Sequence, residues 1–237
     1  KPRYFRTRAG RGFLIASRLT FRGMNEQRRF SMNEGERIKW CNMWVTGANE
    51  DSLPRLLLVG DSIAQSYFAQ VEKEFEGTFL CARLTTSTCV CEPRVEKELG
   101  LVLDHYRFAV IHFNNGLHGW EYDEPSYAKG LSRVLDFVRG HSPKSKLIWA
   151  STTPVWRAGH PGELDPKTDR VRERNRLAQD IATQRHLPIN DLFSSVIDHP
   201  GYISADGVHF NPKGQTVLGK QVAQAIRMEI NRGVEQR

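Results

Sequence analysis

The most constraining stretch of the 237-residue chain is Leu56-Leu57-Leu58-Val59-Gly60-Asp61-Ser62. Four consecutive apolar residues, a glycine, an acid and a serine read as a buried strand running into a turn. After Ser62 the apolar positions fall at helical spacing: Ile63, Ala64, Tyr67, Phe68, Val71 and Phe75. Ser62 therefore stands where a strand becomes a helix. The carboxyl ends of strands are where open α/β sheets hold ligands. The free N–H groups of a helix start also favour negative charge nearby. A serine there can act as a nucleophile whose own N–H faces a developing oxyanion. Asp61 and Ser62 are also good helix caps, so the stretch fits either role until partners are found elsewhere.

The rest of the chain repeats strand and helix. Strands are expected over 55–59, 78–82, 107–113, 146–150 and 187–190. Helices are expected over about 62–76, 93–103, 126–139, 169–185 and 215–230. Leu84 to Cys91 is small and polar and reads as a loop. Such alternation predicts an α/β fold, with a central parallel sheet of five strands covered by helices on both faces. Residues 54–237 form this domain. Residues 34–53 read as a connector packed on it, with Trp40 and Trp44 as aromatic contacts that are either core or carbohydrate-stacking. Residues 1–33 read as a basic, poorly ordered extension.

Charge supports that division. Residues 1–30 hold nine basic residues and one acid, Glu26, a charge of +8, and the remaining residues sum to −1, which gives the formal +7. A near-neutral body implies no broad phosphate-binding face, so no nucleic-acid partner is expected. No run approaches the roughly 20 apolar residues of a membrane span. The segment Phe13-Leu14-Ile15-Ala16 is too short for a secretory h-region, which favours a cytoplasmic location. The Arg-rich, acid-poor amino end also has the composition of a transit peptide. Cys41, Cys81, Cys89 and Cys91 form no C-x2-C pair, so no metal or cofactor is called for. Reduced thiols are expected, with a disulfide at Cys89 or Cys91 the alternative for an exported protein. Oligomeric state is not legible.

Three post-strand segments carry chemistry. Gly60-Asp61-Ser62 follows the first strand, Phe113-Asn114-Asn115-Gly116-Leu117-His118 the third, and Asp206-Gly207-Val208-His209 precedes the last helix. A serine nucleophile needs a base and a carboxylate that holds the base's tautomer. His209 and Asp206 supply both if 206–209 forms one turn. An asparagine amide in a post-strand loop can stabilise an oxyanion. Each piece alone also fits a cap, a surface histidine or a turn.

In their order and placement these segments resemble the SGNH hydrolases, or GDSL esterases, over about residues 54–230. Gly60-Asp61-Ser62 matches that family's first block and Asp206-Gly207-Val208-His209 its fourth. The third block is usually Gly-x-Asn-Asp, and here it is read with Asn114 at the asparagine and Asn115 as the competing assignment. The second block departs from the family, because Leu84-Thr85-Thr86-Ser87-Thr88 has no glycine. Thr86 or Ser87 would have to present the backbone donor.

The resemblance implies a flavodoxin-like α/β/α sandwich. It also implies ester hydrolysis by Ser62, His209 and Asp206, with an oxyanion hole of Ser62, Asn114 and Ser87. Asp61, His118, Trp120 and Trp156 are the candidate substrate contacts. Polar and aromatic loops that also include His112, Tyr122, Thr152, Thr153 and His160 favour a short acyl group, acetyl above all, on a carbohydrate. A lysophospholipase or thioesterase with the same triad is the alternative. A non-catalytic binding module of this fold is the reading from a different class.

Overall fold

The computed structural model describes residues 38–232; the expected extension at 1–33 lies outside them, as do 233–237. The chain runs β1 (Cys41–Val45), β2 (Arg55–Gly60), α1 (Ser62–Glu74), β3 (Leu80–Thr86), α2 (Arg94–Leu103), β4 (Val110–Phe113) and α3 (Glu124–His141). It continues through β5 (Lys146–Ala150), α4 (Lys167–Gln184), β6 (Ile189–Asn190), α5 (Leu192–Val196), a 3-10 turn at Pro200–Tyr202, and α6 (Pro212–Arg232).

The strands lie in the order β1-β3-β2-β4-β5-β6. The five from β3 to β6 are parallel, as the alternation predicts. A sixth strand extends the sheet. β1 pairs antiparallel with β3, Asn42 opposite Thr85 and Trp44 opposite Arg83. Five residues of the expected connector at 34–53 are therefore sheet edge. β3 also runs on to Thr86, into the stretch read as loop.

Sequence makes the central strand. Leu56 to Val59 are all at most 2% exposed. Their alternating side chains feed two cores: Leu56 and Leu58 meet α1 and α6 residues such as Tyr67, Val71, Leu218 and Val222. Leu57 and Val59 meet α2, α3 and α4 residues such as Leu99, Leu131, Val134 and Ala178. Full burial of such side chains stabilises by roughly 1.5–3 kcal/mol each. The helices thus form the two outer layers of a three-layer sandwich.

From β2 the chain steps to β3 on one side, then returns to β4 on the other. A reversal of strand order opens a crevice at the strand carboxyl ends, and here it lies beside β2. Ser62 is the first helical residue after β2. Gly60 allows this tight approach, since a Cβ there would stand 2.4 Å from that of Ala64. Among the described residues no helix is long and apolar enough to cross a membrane.

Candidate active site

Asp61 ends the strand and starts the helix. Its Oδ1 accepts from the Ile63 N–H at 2.9 Å, and the residue is fully buried. It is a helix cap rather than the substrate contact expected from the motif. The Ser62 side chain is left half-exposed at the first position of α1, where its N–H has no partner within the helix.

His209 arrives from the opposite end of the chain. Its Nε2 lies 2.8 Å from Ser62 Oγ, and its Nδ1 lies 2.7 Å from Asp206 Oδ2. A carboxylate only accepts, so Nδ1 carries the proton and Nε2 accepts from the Ser62 hydroxyl. The other Asp206 oxygen accepts from the N–H groups of Val208 and His209, each at 2.9 Å. Burial pushes the Asp206 carboxyl up, but these N–H groups and the imidazole outweigh it and hold the carboxyl below its ordinary range.

The turn itself is anchored from below. Gly207 has φ +76°, and a Cβ there would meet the Trp156 carbonyl at 2.1 Å. The Trp156 N–H donates to the Gly207 carbonyl at 2.7 Å. The Trp156 ring is 2% exposed and packs edge-on to Phe210. Expected to stack on substrate, Trp156 instead supports the turn that carries His209.

Two of the three expected oxyanion donors, Asn114 and Ser87, are committed elsewhere. Asn114 Nδ2 donates to the carbonyls of Ala150 and Ser151, at 2.9 and 3.0 Å, and ties β4 to the end of β5. The competing Asn115 joins the Thr88–Val90 segment, donating to the Thr88 carbonyl and accepting from the Val90 N–H. The Ser87 N–H donates to the Trp40 carbonyl at 3.0 Å, and the Ser87 hydroxyl accepts from the Trp40 N–H. Thr86 Oγ1 donates to the same Trp40 carbonyl. The segment just before β1 has thus closed over the second block.

A cavity of about 690 Å³ opens at Ser62 and His209. Its other walls are Trp40, Cys41 and Asn42 from the β1 side, Gln65 and Ser66 from α1, and His118. His118, a candidate from the sequence, stands edge-on to Trp40 with ring centroids 6.2 Å apart. Trp120 is half-buried, and the guanidinium groups of Arg170 and Arg174 lie over its ring at 5.4 and 4.6 Å. It lies outside the cavity wall. His112 and Thr153 are buried, the histidine within β4 rather than on a loop.

Sequence reasoning missed Asn42, Gln65 and Arg174. Arg174 is fully buried, and its two terminal nitrogens donate to the carbonyls of Gly116, His118 and Gly119, all at 2.8 Å. It shapes the loop that brings His118 to the cavity. Asn42 carried no legible signal, because β1 is exposed and shows itself only by its pairing with β3.

Solved structures share this architecture at low sequence identity. An aryl esterase from M. smegmatis superposes with a TM-score of 0.61 at 17% identity, covering 74% of this chain and 99% of its own. The carbohydrate acetylesterase Est24 from Sinorhizobium meliloti does so with 0.61 at 13%, covering 74% and 99%. A GDSL-like lipase from Bacteroides thetaiotaomicron gives 0.59 at 15%, covering 73% and 88%. No protein-family model and no curated protein matches the chain. The likeness is one of fold: the chain has the fold of the SGNH hydrolases.

Proposed function

We propose that the protein is a serine ester hydrolase that removes short acyl groups, acetyl foremost, from carbohydrate esters. The observation that carries this reading is the continuous hydrogen-bonded chain from Ser62 Oγ through His209 to Asp206, with both links under 3 Å. Ser62 Oγ attacks the ester carbonyl, and His209 Nε2 takes its proton. Asp206 holds the imidazole in the reactive tautomer and stabilises the imidazolium that forms. His209 then returns the proton to the departing alcohol. Water, deprotonated by the same imidazole, adds to the acyl-Ser62 and releases the acid. The Ser62 N–H, at the positive end of α1, faces the developing oxyanion.

The cavity supports a small acyl group. Six of its eight lining residues, Asn42, Ser62, Gln65, Ser66, His118 and His209, carry amide, hydroxyl or imidazole groups that suit a small polar ester. The Trp40 ring beside it suits a sugar face. The carbohydrate acetylesterase among the similar structures accords with the same substrate class.

Rates on p-nitrophenyl esters of increasing chain length test this, followed by acetate release from acetylated oligosaccharides. Acetyl should be cleaved fastest, and Ser62→Ala should lower kcat by roughly 10³-fold or more. Equal or faster turnover of the palmitoyl ester would move the substrate to a lysophospholipid or other long-chain ester. Undiminished turnover by Ser62→Ala would remove the serine mechanism altogether.

A further inference from the structure

An acyl transfer through a tetrahedral intermediate needs more than one donor at the oxyanion, and the Ser62 N–H is one. The amide of Asn114 and the N–H of Ser87, which the motif offers for the rest, are spent on Ala150, Ser151 and Trp40. The cavity wall offers another donor.

Asn42 meets the requirement. It lies on β1 directly opposite Thr85, so its side chain shares the sheet face on which α1 packs. It lines the same cavity as Ser62 and His209. Its orientation follows from its neighbour. Arg83 Nε and Nη2 both point at Asn42 Oδ1, at 3.3 and 3.2 Å. A guanidinium only donates, so the oxygen of Asn42 must face Arg83 and the two N–H donors must occupy the other branch of the amide. Arg83 is itself steadied over the rings of Phe68 and Trp44, at 4.8 and 5.8 Å. Binding to the guanidinium also polarises the amide and makes its N–H groups better donors.

We propose that Asn42, presented by the antiparallel edge strand and oriented by Arg83, is the side-chain donor to the oxyanion. Its inference rests on the esterase reading above. The site is then assembled across the sheet: nucleophile from β2, base from the turn before α6, oxyanion amide from β1. Arg83 acts through Asn42 as a positioning residue.

Steady-state kinetics on p-nitrophenyl acetate test this, alongside covalent labelling of Ser62 by a fluorophosphonate. Asn42→Asp is the decisive variant. It keeps an oxygen for Arg83 and so preserves any purely structural role, while it replaces the donor with an acceptor. Both Asn42→Asp and Asn42→Ala should lower kcat by on the order of 10²-fold with little change in KM. Both should keep the wild-type circular dichroism spectrum. Arg83→Met should fall in the same direction by a smaller factor, because the freed amide then flips between two orientations. Wild-type kcat in Asn42→Asp overturns the inference. So does loss of kcat in Gln65→Ala with none in the Asn42 variants, which would give the donor role to the amide on α1. If the wild-type protein neither turns over the ester nor takes the label, the esterase reading falls and this inference with it. Labelling and turnover in the wild type with indifferent Asn42 variants overturn this inference alone.

Discussion

At the scale of single residues, the site divides by what each side chain has left to give. Ser62, His209 and Asp206 are linked to one another, and Ser62 and His209 line the cavity, so the groups that face it are left free to meet a bound molecule. Asn114 has the residue type and position of a catalytic amide, but both of its N–H groups reach backbone carbonyls at the end of β5. Its removal should therefore be felt as stability. Asn114→Ala leaves two buried acceptors without their donor, at about 1–3 kcal/mol. The melting midpoint should fall by several degrees, at ~2–4 °C per kcal/mol for a chain of this size. Measured well below that midpoint, kcat should stay within about threefold of wild type. Calorimetry and steady-state rates on the same sample decide the matter, and a steep loss of kcat without a thermal shift would return Asn114 to the oxyanion. The motif could place this asparagine at the end of a strand. It could not reveal that two carbonyls of the neighbouring strand would compete for its amide.

Elements were legible in the sequence where burial is one-sided or complete. Leu56–Val59 and Leu147–Ala150 are short, fully buried apolar runs of strand length, and Leu131, Val134, Leu135 and Val138 recur at helical spacing. β1 carries no such signal because Cys41 to Trp44 are exposed, and its backbone pairing with β3 is the whole reason it is a strand. The opposite case hid the end of β3. Thr85, Thr86, Ser87 and Thr88 are almost fully buried, yet their polarity reads as loop. Trp40 satisfies Thr86 and Ser87, Gln65 accepts from the Thr85 hydroxyl, and Glu98 accepts from that of Thr88. The 116–119 loop depends in a similar way on one cation from a distant helix. Arg174 of α4 lies between the rings of Trp120 and Tyr127 and bonds three loop carbonyls. Lysine has the charge but neither the planar fork nor the stacking surface. Arg174→Lys should lower the melting midpoint by on the order of 5–10 °C. It should also weaken substrate binding, because His118 moves with the loop. A thermal melt within a degree of wild type would show that the loop holds its shape unaided.

Over the whole molecule, the charge excess belongs to residues 1–30, and the remainder of the chain sums to −1. General self-repulsion is therefore a weak source of pH dependence in the folded body. Individual buried groups matter more, and among the described residues His112 is a histidine whose burial moves its titration into the acid range. It sits in β4 at the centre of the sheet, fully buried, with Asn190 Nδ2 donating to its Nε2 at 3.0 Å. Burial lowers its pKa to about 3, against an ordinary value near 6.5 in the unfolded chain. The unfolded state thus binds a proton that the folded state refuses across that interval. Stability must rise with pH between the two values, and fall as the solution is acidified from neutrality. From pH 7 to pH 5 this one group should remove about 2 kcal/mol of folding free energy. His112→Gln keeps an acceptor for Asn190 and has no proton to gain. Urea unfolding at the two pH values, for wild type and variant, isolates the effect, since every other group cancels in the difference. The variant should lose about 2 kcal/mol less than wild type on acidification. Equal losses in the two proteins would mean that His112 is protonated within the fold, and that the β4–β6 side of the sheet admits a charge.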